Sequence, residues 1–374
     1  MLARHRSLIL AAALLPALFG CRASGPPPLS AQALAAVTSQ HPGAPREALA
    51  RAIDTLFSAP DLGETRALVV FHDGAVVAER YGPGFSAQTR LLGWSMSKSV
   101  TGALIGMLVA DGRLRLDQPV PIPAWQRPGD PRGDVTLRQL LQMRSGLRNH
   151  ETADPQSDGD SVRLLFLDGR DDGAAYAEAQ PLEAEPGRHF DYSTATAAIL
   201  ADVATRALTD SADPGIRHQV MADYLRTRLS EPLGMRSLLA EYDARGTLQG
   251  GSMIHATARD WGRFGEFLRN QGSVRGAQVV PRAWVSLMTH PSPASPAYGA
   301  QVWLNRPTRV GKDELFAARG PADLFAMVGH LGQYVLVSPS RHLTVVRLGK
   351  SDEDERRRLR DGLADLVGLF SAEN

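Results

Sequence analysis

Cysteine occurs once in the 374 residues, at Cys21, so no intramolecular disulfide can brace the fold. Lysine is almost as scarce: Lys98, Lys312 and Lys350 stand in a chain that otherwise carries its positive charge on arginine. The formal net charge is only +1 and no basic block occurs, so nothing suits a phosphate backbone and no nucleic-acid partner is expected. The ten histidines include no His-Glu-x-x-His or other close metal-ligand spacing, so neither a metal nor another cofactor is expected. No apolar run comfortably reaches spanning length, and no internal repeat is visible. What is present is a globular composition, 43% hydrophobic and 22% charged, sufficient for a large core in one composite unit.

The chain opens with Arg4-His5-Arg6 and an apolar run over residues 8–19, the charged and hydrophobic parts of an export signal, here assigned to residues 1–20. That run ends in Leu18-Phe19-Gly20-Cys21, which resembles the bacterial lipoprotein processing box. Cys21 is therefore expected to become the lipidated N-terminus; loss of the cysteine with an ordinary secretory signal is the alternative. Residues 21–33, with Gly25-Pro26-Pro27-Pro28, suit an extended tether. The expected location is the periplasm, with the body held to a membrane by a lipid anchor.

Residues 45–57 read as a helix, and 67–71 with 75–78 as a hairpin across His72-Asp73-Gly74. Residues 95–110 are apolar nearly all round, which marks a buried helix stopping at Asp111-Gly112. Residues 137–288 are mostly helical in pattern, including a helix over 194–208 and an acidic loop over 151–160 that reads as solvated surface. Strand patterns return at 298–304, 324–328, 334–337 and 343–347, before a last helix over 352–370. The expected class is α+β: an antiparallel sheet region from residues 34–136 and 289–374, completed by both termini and flanked by helices, with 137–288 as a mostly α-helical insert.

Lys98 follows Ser95 by one helical turn. An arginine cannot release its proton near neutral pH, whereas a buried lysine amine can be driven toward its neutral form and take a proton from a hydroxyl. Ser95 and Lys98 therefore read as nucleophile and base, although Ser-x-x-Lys alone is short and common. Tyr192 precedes a Ser/Thr-capped helix and could serve as a second proton-transfer group, or simply as a core or cap residue. Gly329-His330-Leu331-Gly332-Gln333 stands before a strand, and its glycines would let a backbone N–H approach an acyl oxygen. His330 by itself also fits a structural histidine.

In order and spacing these residues resemble the serine β-lactamase and penicillin-recognising superfamily, nearest its class C-like branch of esterases and 6-aminohexanoate-dimer (nylon-oligomer) hydrolases. The likeness runs over roughly residues 60–370. Its Ser-x-x-Lys motif is matched by Ser95 and Lys98, its Tyr-x-Asn motif by Tyr192-Ser193-Thr194, and its Lys-Thr-Gly or His-x-Gly motif by His330-Leu331-Gly332. The phrases Leu140 to Leu147, Gly250-Gly251-Ser252-Met253 and Ala256 to Asp260 are similar to the family's scaffold. The resemblance implies one β-lactamase-like catalytic unit in which Ser95 is acylated and Lys98 and Tyr192 shuttle protons. It further implies an oxyanion hole from the backbone N–H groups of Ser95 and Gln333, and substrate contacts from Thr194, His330 and Gly332.

Two departures shape the expected substrate. Thr194 stands where Asn is usual and supplies no amide. His330 in place of Lys leaves that motif uncharged at neutral pH, so it attracts a substrate carboxylate weakly. The first removes an amide that could bond both Lys98 and substrate, and the second favours a small-molecule neutral ester or amide as the partner. A β-lactamase or D-alanyl-D-alanine carboxypeptidase is the enzymatic alternative, and a catalytically silent, envelope-binding lipoprotein the non-enzymatic one.

Overall fold

In the computed structural model, which describes residues 28–308, 315–317 and 319–372, Asp73 and Gly74 take φ of 51° and 80°. Positive φ at both turn positions matches the right-handed twist of the flanking strands, so Glu64–His72 folds back on Ala75–Tyr81. The export signal, Cys21 and the first part of the tether lie outside the described residues. A short helix, Ala31–Ala35, already stands within the expected tether, because Ser30 Oγ accepts from Ala33 N at 3.1 Å and Ala33 is buried.

The hairpin joins a six-stranded antiparallel sheet in the order Ala75–Tyr81, Glu64–His72, Leu343–Lys350, Gln333–Ser338, Phe325–Gly329, Trp303–Leu304. Chain ends thus meet at its centre, where Val69 pairs with Val346 and Val70 with Val345. Alternation along the strands divides the core in two. Leu68, Val70, Ala326, Leu336 and Val345 face the helices Arg46–Ser58 and Glu353–Gly368, through Leu49, Ile53, Leu359 and Leu363. Val69, Phe71, Met327, Val335 and Val346 face the other way, toward the helical body. Full burial of each such aliphatic side chain contributes roughly 1.5–3 kcal/mol relative to exposure, before the entropic cost of ordering it.

The helical body holds Leu137–Leu141, Asp160–Phe166, Gly173–Glu178, Thr194–Arg206, Pro214–Leu225 and Arg282–Thr289. Ala258–Arg269, though drawn from the same stretch of sequence, lies on the sheet itself. Its glycines permit this: a Cβ on Gly262 would come within 2.1 Å of Phe71, and one on Gly265 within 2.7 Å of Thr344. A second difference concerns residues 298–304. Only Trp303–Leu304 is strand, because Gln301 takes φ of 64° and turns the chain so that Tyr298 bridges back to Trp303.

The helix carrying Lys98, Ser97–Ala110, is buried from Ser97 to Leu108 and lies between the sheet and the helical body. Close approach of Arg282–Thr289 depends on Gly106, where a Cβ would sit 2.3 Å from Trp284 Nε1. That indole N–H donates to Gly102 O at 3.0 Å.

Candidate active site

Ser95 lies in a 3-10 turn, Trp94–Met96, immediately before the α-helix and not on the helix that the sequence pattern draws from residue 95. Trp94 takes φ of 50°, an unfavourable conformation for an aromatic residue, and the flanking contacts hold it there. Gly93 N donates to Ile254 O at 2.9 Å, and Ser97 Oγ accepts from Ile254 N at 3.1 Å. Ile254 thereby pins both ends of the turn. On its other side the end of Phe325–Gly329 is so close that a Cβ on Gly329 would fall 2.2 Å from Gly93 O.

The Lys98 side chain is 1% exposed, and its Nζ meets three oxygens: Ser95 Oγ at 3.0 Å, Thr194 Oγ1 at 2.9 Å and Gly251 O at 2.9 Å. Burial pushes its pKa down to about 8, against the opposing pull of the Glu151 charge. The neutral amine is thus accessible a unit above neutrality, where an exposed lysine would be almost wholly cationic. If Lys98 is the base, kcat/KM for a neutral substrate rises with pH through an acidic limb near 8, which a pH-rate profile on an uncharged ester measures.

Tyr192 is brought to the same place, its ring centroid 4.9 Å from Lys98 Nζ. Two features set its approach. Asn149 Nδ2 donates to Tyr192 O and to Asp191 Oδ1, each at 3.0 Å, and Asp191 N donates to Met143 O at 2.8 Å. The phenol ring also packs against Tyr298 and Trp303, with centroids 5.9 and 5.2 Å away. Tyr298 itself is fully buried, and desolvation holds its hydroxyl protonated, well above the ordinary phenol range.

Thr194 opens the helix Thr194–Arg206, whose N-cap Ser193 accepts from Thr196 N at 3.0 Å. His330 is exposed and its ring packs against Trp94, with centroids 5.4 Å apart and planes near perpendicular. Desolvation and then the Arg356 cation lower its pKa, which favours the neutral ring. Gly332 takes φ of 79° in the turn between two strands, and a Cβ there would meet Arg347 at 2.9 Å and Leu359 at 3.0 Å. The Gln333 side chain is buried and ties this turn, donating to His330 O at 3.0 Å and Gly349 O at 2.7 Å and accepting from Gly349 N at 2.9 Å. Among the described residues no group of three His, Cys, Asp or Glu side chains could hold a metal ion.

Two participants escape the sequence motifs. The Gly251 carbonyl accepts from Lys98 as a backbone atom, which no side-chain pattern reveals. Glu151, placed by its sequence in a solvated acidic loop, instead turns inward. Its Oε1 accepts from Thr194 Oγ1 at 2.5 Å and its Oε2 from Thr194 N at 2.7 Å. The loop is closed behind it, with Asp160 N donating to His150 O at 2.7 Å and Ser161 Oγ to Glu151 O at 2.6 Å.

Residues 64–369 match the model of the family described as Beta-lactamase. The chain belongs to that family. As a Beta-lactamase family member it is 28% identical over 265 residues to a 6-aminohexanoate-dimer hydrolase of Paenarthrobacter ureafaciens, a match covering 67% of this chain and 65% of that relative's length. The chain thus spans just under two thirds of that curated relative. Solved structures share the fold. A β-lactamase from Mycobacterium bovis aligns with TM-score 0.60 at 19% identity, over 86% of this chain and 100% of that one. A family VIII carboxylesterase aligns with TM-score 0.62 at 17% identity, over 87% and 96%.

Proposed function

We propose that this Beta-lactamase family protein is a serine hydrolase that cleaves neutral carboxylic esters or small amides through an acyl-enzyme on Ser95. The observation that carries this reading is the buried Lys98 amine, 3.0 Å from the Ser95 hydroxyl and depressed to a pKa of about 8. Kinship with a 6-aminohexanoate-dimer hydrolase and the fold shared with a carboxylesterase support the reaction class.

In this mechanism neutral Lys98 takes the Ser95 proton as Oγ attacks the carbonyl carbon. The family resemblance assigns the oxyanion to the backbone N–H groups of Ser95 and Gln333. Collapse breaks the bond to the leaving oxygen or nitrogen, which receives the proton by way of Tyr192 and leaves as alcohol or amine. Water then adds to the acyl-Ser95 ester, the same groups return the proton to Oγ, and the carboxylic acid departs. A neutral His330 at the rim offers no fixed cation for a substrate carboxylate, which favours uncharged substrates over β-lactams and D-alanyl peptides.

The test is a hydrolysis panel of short-chain nitrophenyl esters, nitrocefin, D-alanyl dipeptides and aminohexanoate oligomers, with Ser95→Ala protein as blank. Ester or small-amide turnover absent from the blank sustains the proposal. Fast nitrocefin or dipeptide turnover instead assigns the β-lactam or D-alanyl substrate class, and no turnover with no probe adduct on Ser95 assigns a binding role. Tyr192→Phe is expected to lower kcat by about two to four orders of magnitude. An unchanged kcat in steady-state assays would assign the second proton transfer elsewhere.

The leader supplies a further proposal, that residues 1–20 direct export and Cys21 carries a lipid holding the enzyme at a periplasmic membrane face. Its support is the Leu18-Phe19-Gly20-Cys21 box, and among the described residues no helix is long and apolar enough to cross a membrane. Mass spectrometry of the mature N-terminus tests it.

A further inference from the structure

Lys98 is surrounded by acceptors, and their protons decide whether its lone pair is usable. A neutral amine has two N–H donors and one lone pair to distribute among Ser95 Oγ, Thr194 Oγ1 and Gly251 O. Gly251 O can only accept. Thr194 Oγ1, by contrast, is a hydroxyl with a free rotor, able either to accept from Lys98 or to donate into its lone pair. Donation would occupy the base and leave the Ser95 proton without an acceptor.

The Thr194 rotor is fixed by Glu151. Its carboxylate is an acceptor at both oxygens and takes the Thr194 hydroxyl proton at 2.5 Å and the Thr194 N–H at 2.7 Å. Thr194 is 2% exposed, so solvent does not offer that hydroxyl a ready alternative. With its proton committed to Glu151, Thr194 must accept from Lys98. Both amine hydrogens are then engaged, by Thr194 and Gly251, and the remaining tetrahedral direction points the lone pair at Ser95.

We propose that Glu151 is a positioning residue which, by holding the Thr194 hydroxyl as an obligate acceptor, directs the Lys98 lone pair onto Ser95. This rests on the reading of Ser95 and Lys98 as nucleophile and base. It also accounts for the missing amide at position 194: an Asn side-chain carbonyl is an acceptor by nature, whereas a threonine hydroxyl becomes one only with a partner such as Glu151. The groups around Lys98 are Ser95 on its own segment, Tyr192 and Thr194 at the start of the neighbouring helix, the Gly251 carbonyl, and Glu151 behind Thr194. Of these, Glu151 is the charged group whose field acts on the amine.

The experiment is a double-mutant cycle of Glu151→Gln and Thr194→Val, read by burst-phase acylation of a nitrophenyl ester across pH. In the amide, an NH2 donor replaces one of the two carboxylate oxygens that accept from Thr194 N and Oγ1, so one of those two donors is left facing a donor. Glu151→Gln is therefore expected to cut the acylation rate by about 10-fold or more with Thr194 present, and by less than about 3-fold in the Thr194→Val background. Loss of the negative charge also moves the acidic limb to lower pH by about one unit in both backgrounds. Glu151→Asp keeps the charge but shortens the reach, so it slows acylation without moving the limb, and it serves if the glutamine variant does not fold. An equal rate loss in both backgrounds, or a limb that does not move on removing the charge, overturns the proposal. Covalent labelling of wild-type Ser95 by a fluorophosphonate separates the two levels: without it the nucleophile assignment fails, and with it only the role of Glu151 is at stake.

Discussion

Ser95→Ala is expected to abolish turnover, with kcat/KM falling on the order of 10⁴-fold or more, while the protein stays folded. The side chain lost is small and half-buried, and the turn that carries it is held by backbone bonds from Gly93 to Ile254 and by Ser97, none of which needs the Ser95 hydroxyl. A fall in activity without a fall in melting temperature therefore separates chemistry from structure. The same variant is expected to form none of the fluorophosphonate adduct that mass spectrometry should find on the wild-type protein. An adduct that persisted would mean another nucleophile reacts.

Lys98→Arg is expected to reduce kcat/KM by at least about 10³-fold although it preserves the formal charge. A guanidinium has no lone pair available at any pH the fold survives, so it can donate to Thr194 and Gly251 but cannot take the Ser95 proton. The pocket supplies a second obstacle, because the amine sits among atoms at 2.9 to 3.0 Å with 1% exposure, leaving no room for the extra planar group. Steady-state kinetics beside a thermal melt distinguish the two contributions. If the arginine enzyme worked near the wild-type rate, proton acceptance by Lys98 would be refuted.

Most of the candidate constellation is legible in the sequence because it is written in side-chain identity and order: Ser95 and Lys98 three residues apart, Tyr192 before a capped helix, His330 and Gly332 in a late turn. The central sheet is legible for a similar reason, since period-two alternation at both ends of the chain leaves few partners for either end. Glu151 was not legible. Its bond to Thr194 spans 43 positions and depends on a loop closed by His150, Asp160 and Ser161, while in sequence it is one acid among several. Residues 298–304 failed differently, for Tyr298, Ala300, Val302 and Leu304 alternate as a strand would, and only the positive φ at Gln301 converts the segment into a turn that packs Tyr298 against Trp303.

The central sheet also sets how late in its synthesis the chain can close its fold. Arg347 Nη2 donates to Glu64 O at 2.9 Å across 283 positions, so the first long strand, paired early with Ala75–Tyr81, lacks its second neighbour until nearly the whole polypeptide has emerged. Loop closure over such a span is entropically slow, and the interval leaves strand edges open to self-association. A fragment ending before Leu343–Lys350 would leave Glu64–His72 unpaired on one side and would separate it from Gln333–Ser338. The central sheet is therefore among the last parts of the fold that a growing chain can complete.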